Sequence, residues 1–162
     1  MTIIDPLKDL PGYALRRASL AVMGELAERL KGLALRPTEA TVILVIEANP
    51  GVTQSEVGEL LEVARANMAP LTARLLERDL VLRQRVDGRS QGMSLSAAGR
   101  RMARKIRRAI AEQEASILKR IPAKDAAGFL TALQTLWKPQ AERALRTPRR
   151  PPQKRLRSAK RG

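Results

Sequence analysis

Residues 53–100 read TQSEVGELLEVARANMAPLTARLLERDLVLRQRVDGRSQGMSLSAAGR, and the parsing of this stretch decides the fold. Thr53-Gln54-Ser55-Glu56 matches a capping box, in which a hydroxyl and a carboxylate satisfy opposite orphan amides at a helix start. The helix it opens is short, with Val57, Leu60 and Leu61 expected to face inward. A second helix is expected over roughly residues 64–78, its inner face defined by Met68, Leu71 and Leu75 at spacings of three and four. The other face carries Ala66, Asn67, Ala69, Pro70, Ala73 and Arg74, small and polar side chains that let a helix come close to another surface. Pro70 is irregular, because an interior proline removes a backbone hydrogen bond and tends to bend the helix.

The pattern then changes from helical to alternating. From Leu80 to Val86, Val81, Arg83 and Arg85 fall on one side and Leu80, Leu82, Gln84 and Val86 on the other. Met93 and Leu95 supply a facing strand, alternating with Ser94 and Ser96. Between them, Asp87 to Gly92 is a glycine-bearing hairpin connection. Ser96 is placed to cap a long helix that runs to about Lys119 and carries the pairs Arg100-Arg101 and Arg107-Arg108.

Moving outward, Leu10-Pro11-Gly12 reads as a turn leading into a helix from Tyr13 to about Lys31, closed by Gly32. Pro37 sits at a first helical position, Glu39 puts an acid in the first turn, and an apolar helix continues to Ala48 before Asn49-Pro50-Gly51. Beyond the long helix, Pro122 opens a last one with Phe129, Leu130, Leu133, Leu136 and Trp137 as an apolar stripe. After Pro139 the pattern dissolves. From Thr147 onward the chain holds prolines and basic residues with Leu156 as its one large aliphatic, too little apolar surface to offset ordering.

Composition removes several function classes. The chain has no Cys, so disulfides, thiolate metal sites and thiol redox sensing are excluded, and no His, the commonest metal ligand and general base. No carboxylate pair stands out in their place, so no catalytic, cofactor-binding or metal-binding residues are assigned. The formal net charge is +15, unevenly spread. Residues 138–162 carry ten Lys/Arg against the single Glu142, a net of +9, which leaves +6 on residues 1–137. Such an excess predicts a polyanionic partner. No apolar run approaches bilayer length and the N-terminus MTIIDPLKDL lacks a signal-peptide layout, so a cytoplasmic, nucleoid-associated protein without membrane contact is expected.

Residues 61–101 resemble the MarR family of bacterial winged-helix transcriptional regulators. The resemblance rests on Arg74-Leu75-Leu76-Glu77-Arg78-Asp79-Leu80-Val81-Leu82-Arg83, on Asp87-Gly88-Arg89 at the hairpin tip, and on Leu95-Ser96-Ala97-Ala98-Gly99-Arg100 opening the long helix. The order of elements from Gly12 to Trp137 agrees as well. Two departures stand out: Asp79 where the family usually has Gly, and Ala64 where it usually has Ser or Thr. Asp tolerates a left-handed backbone better than most residues, whereas Ala64 offers no capping oxygen, a loss of about 1 kcal/mol to the helix it precedes.

The fold class expected is mainly α: a winged helix-turn-helix with a small β-hairpin wing and N- and C-terminal dimerisation helices. Residues 1–11 would form an arm, 12–140 the winged-helix domain and 141–162 a basic disordered tail. Within the domain, the DNA-binding lobe would lie at about 37–97 and the dimerisation helices at about 12–32 and 98–138. The resemblance implies a homodimer on double-stranded DNA, two recognition helices meeting successive major grooves of a palindromic site.

Groove chemistry then assigns the residues. Asn67 suits adenine, Arg65 and Arg74 suit guanine or phosphate, and Pro70 lies on the same face. Arg89 on a narrow hairpin suits the negative potential of a narrow minor groove, with Asp87 to orient it and Ser90 and Gln91 beside it. Arg83 and Arg85 would meet backbone phosphate. The family implies an effector pocket for small aromatic or anionic metabolites, for which Arg16 and Arg17 are candidates, and a repressor that releases its operator on binding them. The alternative is an architectural protein that coats DNA with little sequence preference. The basic tail would either track phosphates or serve as a solvated end that improves solubility.

Overall fold

The computed structural model describes residues 4–87 and 90–146, with residues 85–87, 90 and 137–146 described by their backbone alone. The order is α1 (Pro11–Lys31), α2 (Pro37–Ala48), β1 (Val52–Thr53), α3 (Gln54–Leu60), α4 (Arg65–Glu77), β2 (Val81–Asp87), β3 (Ser90–Leu95), α5 (Ala97–Arg120) and α6 (Ala123–Arg146). The chain divides into two units after Leu118, the first holding the helix-turn-helix and the sheet.

In the first unit, the core is aliphatic. Leu30, Val42, Ile43, Ile46, Val57, Met68, Leu75, Val81, Met93, Leu95 and Ile106 are all buried, drawn from both helices and strands. Three polar side chains are buried with them, Glu39, Thr72 and Gln113, and each has a hydrogen-bonding partner. Gln113 of α5 donates to the Val22 carbonyl of α1 at 2.7 Å, tying those two helices together.

Most element starts follow local chemistry. Helix α1 begins at Pro11, because a proline at the first helical position loses no needed hydrogen bond. Pro11 and Gly12 therefore belong to the helix instead of a preceding turn. Pro37 plays the same part for α2, and the Glu39 carboxylate reaches back to accept from the Arg36 amide at 2.8 Å. Thr53 and Glu56 form the expected box: the Glu56 amide donates to the Thr53 hydroxyl at 3.3 Å, and the Thr53 amide and hydroxyl both donate to Glu56 Oε2 at 2.8 Å. Ser96 caps α5 by accepting from the Gly99 amide at 2.9 Å while its hydroxyl donates to the Asp79 carbonyl.

The Thr53–Glu56 box carries a pH signature. Hydrogen bonds from the Thr53 backbone, and then from its side chain, hold the Glu56 carboxyl below the ordinary glutamate range. A carboxylate depressed by folding stabilises at pH values above its unfolded pKa and loses that contribution as pH falls through its folded pKa. Glu56→Gln is therefore expected to be less stable than wild type at neutral pH and to converge with it in acid. Denaturant midpoints measured at both pH extremes check this; a gap that stays constant across pH would rule it out.

The sheet has three antiparallel strands in the order β1-β3-β2. The hairpin β2–β3 was legible in the sequence, whereas the two-residue β1 was not. Val52 pairs with Met93 and Thr53 with Gly92, so the residue that caps α3 also lies in register with the hairpin. Positive φ values at Glu62 (53°) and Asp79 (51°) turn the chain out of α3 and α4, and Asp79 adopts the left-handed backbone that Asp tolerates better than most residues.

Several inward assignments shift. On α3, Val57 is buried but Leu60 is 64% exposed. On α4, Thr72 takes the buried place next to Met68 and Leu75, while Leu71 is half-buried. Its hydroxyl makes that possible, meeting the Met68 carbonyl at 2.9 Å and Gln54 Oε1 at 3.0 Å. Val81 is buried and Leu82 exposed, as alternation requires, and Leu80 is buried only because it precedes the strand.

The second unit contains α6, which runs to Arg146, six residues past the boundary expected at 140. Gln140-Ala141-Glu142-Arg143-Ala144-Leu145-Arg146 is rich in good helix formers, so Pro139 does not end the helix. The part of the basic tail from Thr147 onward lies outside the described residues.

Candidate nucleic-acid interface

Helices α3 and α4 meet closely because Gly58 leaves room for them. A Cβ there would lie 3.1 Å from Met68 Cγ and 3.2 Å from the Val63 carbonyl. The Thr72–Gln54 hydrogen bond joins the middle of α4 to the first turn of α3. With its inner side fixed by Met68, Thr72 and Leu75, α4 presents Arg65, Ala66, Asn67, Ala69 and Pro70 to solvent. Ala64 supplies no capping hydrogen bond, yet the helix forms from Arg65 and runs unbroken through Pro70 to Glu77.

Three clefts border α4 among the described residues, and one of them, about 470 Å³, is lined by Arg65 together with Glu59 of α3 and Glu62 of the turn after it. The other two flank the exposed helix face. One, about 520 Å³, is lined by Thr53, Gln54, Ser55, Arg65, Arg83, Gln91 and Met93. It brings together three of the residues assigned from sequence, one each from α4, β2 and β3. Two guanidinium groups share it and no carboxylate lines it, an arrangement that attracts an anion. Gln54 and Ser55 were missed in the sequence reading. Their position directly after the cap Thr53, in the first turn of the helix packed against α4, was the signal available.

The second cleft, about 610 Å³, holds Asn67, Pro70 and Arg74 together with Arg36, Thr38 and Glu39. Here the electrostatics differ. Arg74 Nη1 lies 3.2 Å from Glu39 Oε1, and that carboxylate is 3% exposed while the arginine side chain is 46% exposed. Glu39 thus has two tasks, capping α2 with one oxygen and holding Arg74 with the other. Arg74 sits on the exposed surface of α4 with its guanidinium directed by a buried partner, and neither Glu39 nor Arg36 was assigned from sequence.

On the hairpin, Arg83 and Gln91 are exposed. Arg85 and Asp87 lie in β2 and Ser90 opens β3, with Arg85 opposite Gln91 and Asp87 opposite Ser90 in the register. The side chains of Arg85, Asp87 and Ser90, and all of Arg89, lie outside the described residues. The hairpin is anchored at its base, where the Gly51 amide donates to the Met93 carbonyl at 2.8 Å.

Arg16 and Arg17 are exposed on α1. Arg17 Nη1 donates to the Tyr13 hydroxyl at 3.2 Å, and its guanidinium lies 5.8 Å from that ring's centroid, so a neighbour one turn away already engages it. Among the described residues, no group of three or more carboxylates could hold a metal ion, and no helix is long and apolar enough to cross a membrane.

The winged helix-turn-helix geometry has counterparts among known proteins. A model of the MarR family matches residues 35–90, from just before α2 to the start of β3. No curated protein matches the sequence. Among solved structures, the transcriptional repressor CouR bound to a 23-mer DNA duplex is 28% identical, with a TM-score of 0.73 over 84% of this chain and 97% of that one. CouR bound to p-coumaroyl-CoA is similar at 26% identity and a TM-score of 0.74, covering 84% of this chain and 97% of that one. The PcaV regulator from Streptomyces coelicolor, in complex with its natural ligand, is 26% identical with a TM-score of 0.67, over 89% of this chain and 99% of that one. The family model falls on the elements that build the exposed α4 face and the wing, and the likeness to these regulators extends along nearly their whole length; residues 35–90 match the MarR family, and the chain as a whole is similar to winged helix-turn-helix transcriptional regulators.

Proposed function

We propose that this protein is a homodimeric repressor that binds a palindromic operator in duplex DNA and leaves it on binding a small aromatic or anionic effector. The observation that carries the reading is the carboxylate-free cleft in which Arg65, Arg83 and Gln91 converge beside the exposed face of α4. In this reading α4 enters the major groove, where Asn67 reads a base edge and Arg65 reaches guanine or phosphate. Pro70 packs against the groove, and Glu39 aims Arg74 toward the backbone. Arg83 and Arg85 take phosphates at the base of the wing, and Arg89, steadied by Asp87 and flanked by Ser90 and Gln91, enters the minor groove. The DNA-bound CouR structure supports this arrangement.

Dimerisation accounts for apolar surface that is otherwise left in water. Leu15, Leu20 and Met23 on α1 are 41%, 60% and 47% exposed, and on α6 Leu130 and Leu136 are exposed as well. A second copy would cover such faces. The ligand complexes of CouR and PcaV support an effector role, with Arg16 and Arg17 as candidates for an anionic group.

Footprinting on genomic DNA tests the function. A discrete two-fold protection is expected, and uniform coverage would favour an architectural protein instead. For the wing, Arg89→Ala is expected to weaken operator affinity about 10-fold, roughly 1.4 kcal/mol. Fluorescence anisotropy at moderate salt measures it, and full affinity in the variant would remove the wing tip from the interface.

A further inference from the structure

Helix α5 carries a second basic surface that the operator-reading face does not use. Its buried line is Gly99, Ala103, Ile106 and Gln113. At about 100° per residue, Arg101, Arg104, Lys105 and Arg108 fall on the opposite side, and all four are exposed. The sequence contains no carboxylate between Asp87 and Glu112.

A solvated helix face ordinarily mixes both signs, as the second half of α5 does with Glu112, Glu114, Lys119 and Arg120. The first half does not. The other cations of this half are engaged elsewhere: Arg100 donates to the Leu95 carbonyl at 2.9 Å and Arg107 pairs with Glu47 of α2. Within the stripe, Arg108 is paired with Glu112 at 2.9 Å, while Arg101, Arg104 and Lys105 have no ion-pair partner among the described residues. Local energetics oppose such a pattern. Like charges at i,i+4, here 101/105 and 104/108, repel. Three cations without a partner, kept where the isolated helix disfavours them, need an external anion to account for them.

We propose that Arg101, Arg104, Lys105 and Arg108 form a second track for DNA backbone phosphates, taking a duplex segment that α4 does not occupy. The stripe spans about 10 Å along the helix axis, which matches roughly three phosphate steps of one strand. Because it faces away from the core line of α5, it meets DNA that flanks the operator or a second duplex. This inference rests on the DNA-binding reading above.

The test measures binding of the full chain to random-sequence duplexes, one of about 25 base pairs, enough for two successive major grooves, and one about three times longer. The variants are R101A/R104A/K105A, R101K/R104K and R65A/R83A. On the long duplex, the triple alanine variant is expected to bind roughly 10-fold more weakly at moderate salt, with its log–log salt slope smaller by about 2.7, or 0.9 for each lost phosphate contact. On the short duplex it should match wild type, and R101K/R104K should match wild type on both. Thermal midpoints control for folding, and removal of like charges should leave them equal or higher. An unchanged slope on the long duplex overturns the proposal. So does an equal loss on both duplexes, which would make the stripe part of the operator-facing surface. If DNA binding is unchanged but retention on immobilised polyglutamate is lost, the stripe serves an acidic protein and the proposal fails. Were R65A/R83A to bind like wild type while the triple variant lost affinity, the α4 interface would fall and the stripe would stand.

Discussion

Gly99→Ala is expected to destabilise the protein by about 3 kcal/mol or more and to lower its melting temperature by roughly 10 °C. A Cβ at this position would lie 1.9 Å from the Leu80 carbonyl oxygen and 3.0 Å from its carbonyl carbon, with Leu95 Cβ at 3.3 Å. Backbone, not a flexible side-chain end, occupies the space. Nor can that backbone yield easily. Asp79, just before it, is held in a left-handed conformation, the Leu80 carbonyl accepts from the Ser96 amide at 3.2 Å, and the Asp79 carbonyl accepts from the Ser96 hydroxyl. Leu80 itself is a core residue at the junction of α4 and β2. Relief of the clash would push the first turn of α5 off this junction and unseat the base of the wing, so DNA affinity should fall with stability. Chemical denaturation checks the first part; a loss below 1 kcal/mol would mean the junction is softer than its hydrogen bonding indicates.

The second large effect concerns affinity. R65A/R83A is expected to weaken duplex binding about 100-fold at low salt, because two charge-assisted contacts at roughly 1.5 kcal/mol each are removed. The log–log salt slope should fall by about 1.8. Both arginines line the same cleft with Gln54, Ser55 and Gln91, and no carboxylate there neutralises them. Both are exposed, so their truncation should leave the folding stability within about 1 kcal/mol of wild type. An anisotropy titration over several salt concentrations reads the affinity and the slope together. An unchanged slope would show that neither side chain meets a phosphate, and the interface would then have to lie elsewhere on α4.

Arg65 and Arg74, both assigned from the same helical wheel, turned out to differ. Arg65, the first residue of α4, lies between the carboxylate-free cleft and one lined by Glu59 and Glu62 and forms no ion pair with either among the described residues, whereas Arg74 is held by a buried glutamate from α2. A wheel shows which residues share a face; it does not show which neighbouring helix contributes a carboxylate to it. Glu39 looked like an ordinary first-turn acid stabilising its own helix, which it is, and its second oxygen acquires a role only when α4 packs alongside.

Much of the chain could be read without coordinates because its signals are local. Proline at Pro11 and Pro37, the box of Thr53 and Glu56, and the cap at Ser96 work through atoms within a few residues, and the periods of 3.6 and 2 separate α4 from β2 in the sequence itself. The misassigned positions are those decided by distant neighbours. Leu60 is exposed because no element of its own unit covers it, and Thr72 is buried because Gln54 and the Met68 carbonyl satisfy its hydroxyl. Strand β1 exists because Met93 and Gly92 come alongside residues too few to show a period.

From the sequence alone came the winged helix-turn-helix order, the basic character of the face it presents, and the absence of Cys and His chemistry, since composition and periodicity belong to each segment separately. The tertiary structure decided which cations stand together without a counter-charge and which are already paired. Coulomb energy and desolvation depend on distances between residues far apart in the chain, and those distances exist only once α2, α4, β2 and α5 have packed.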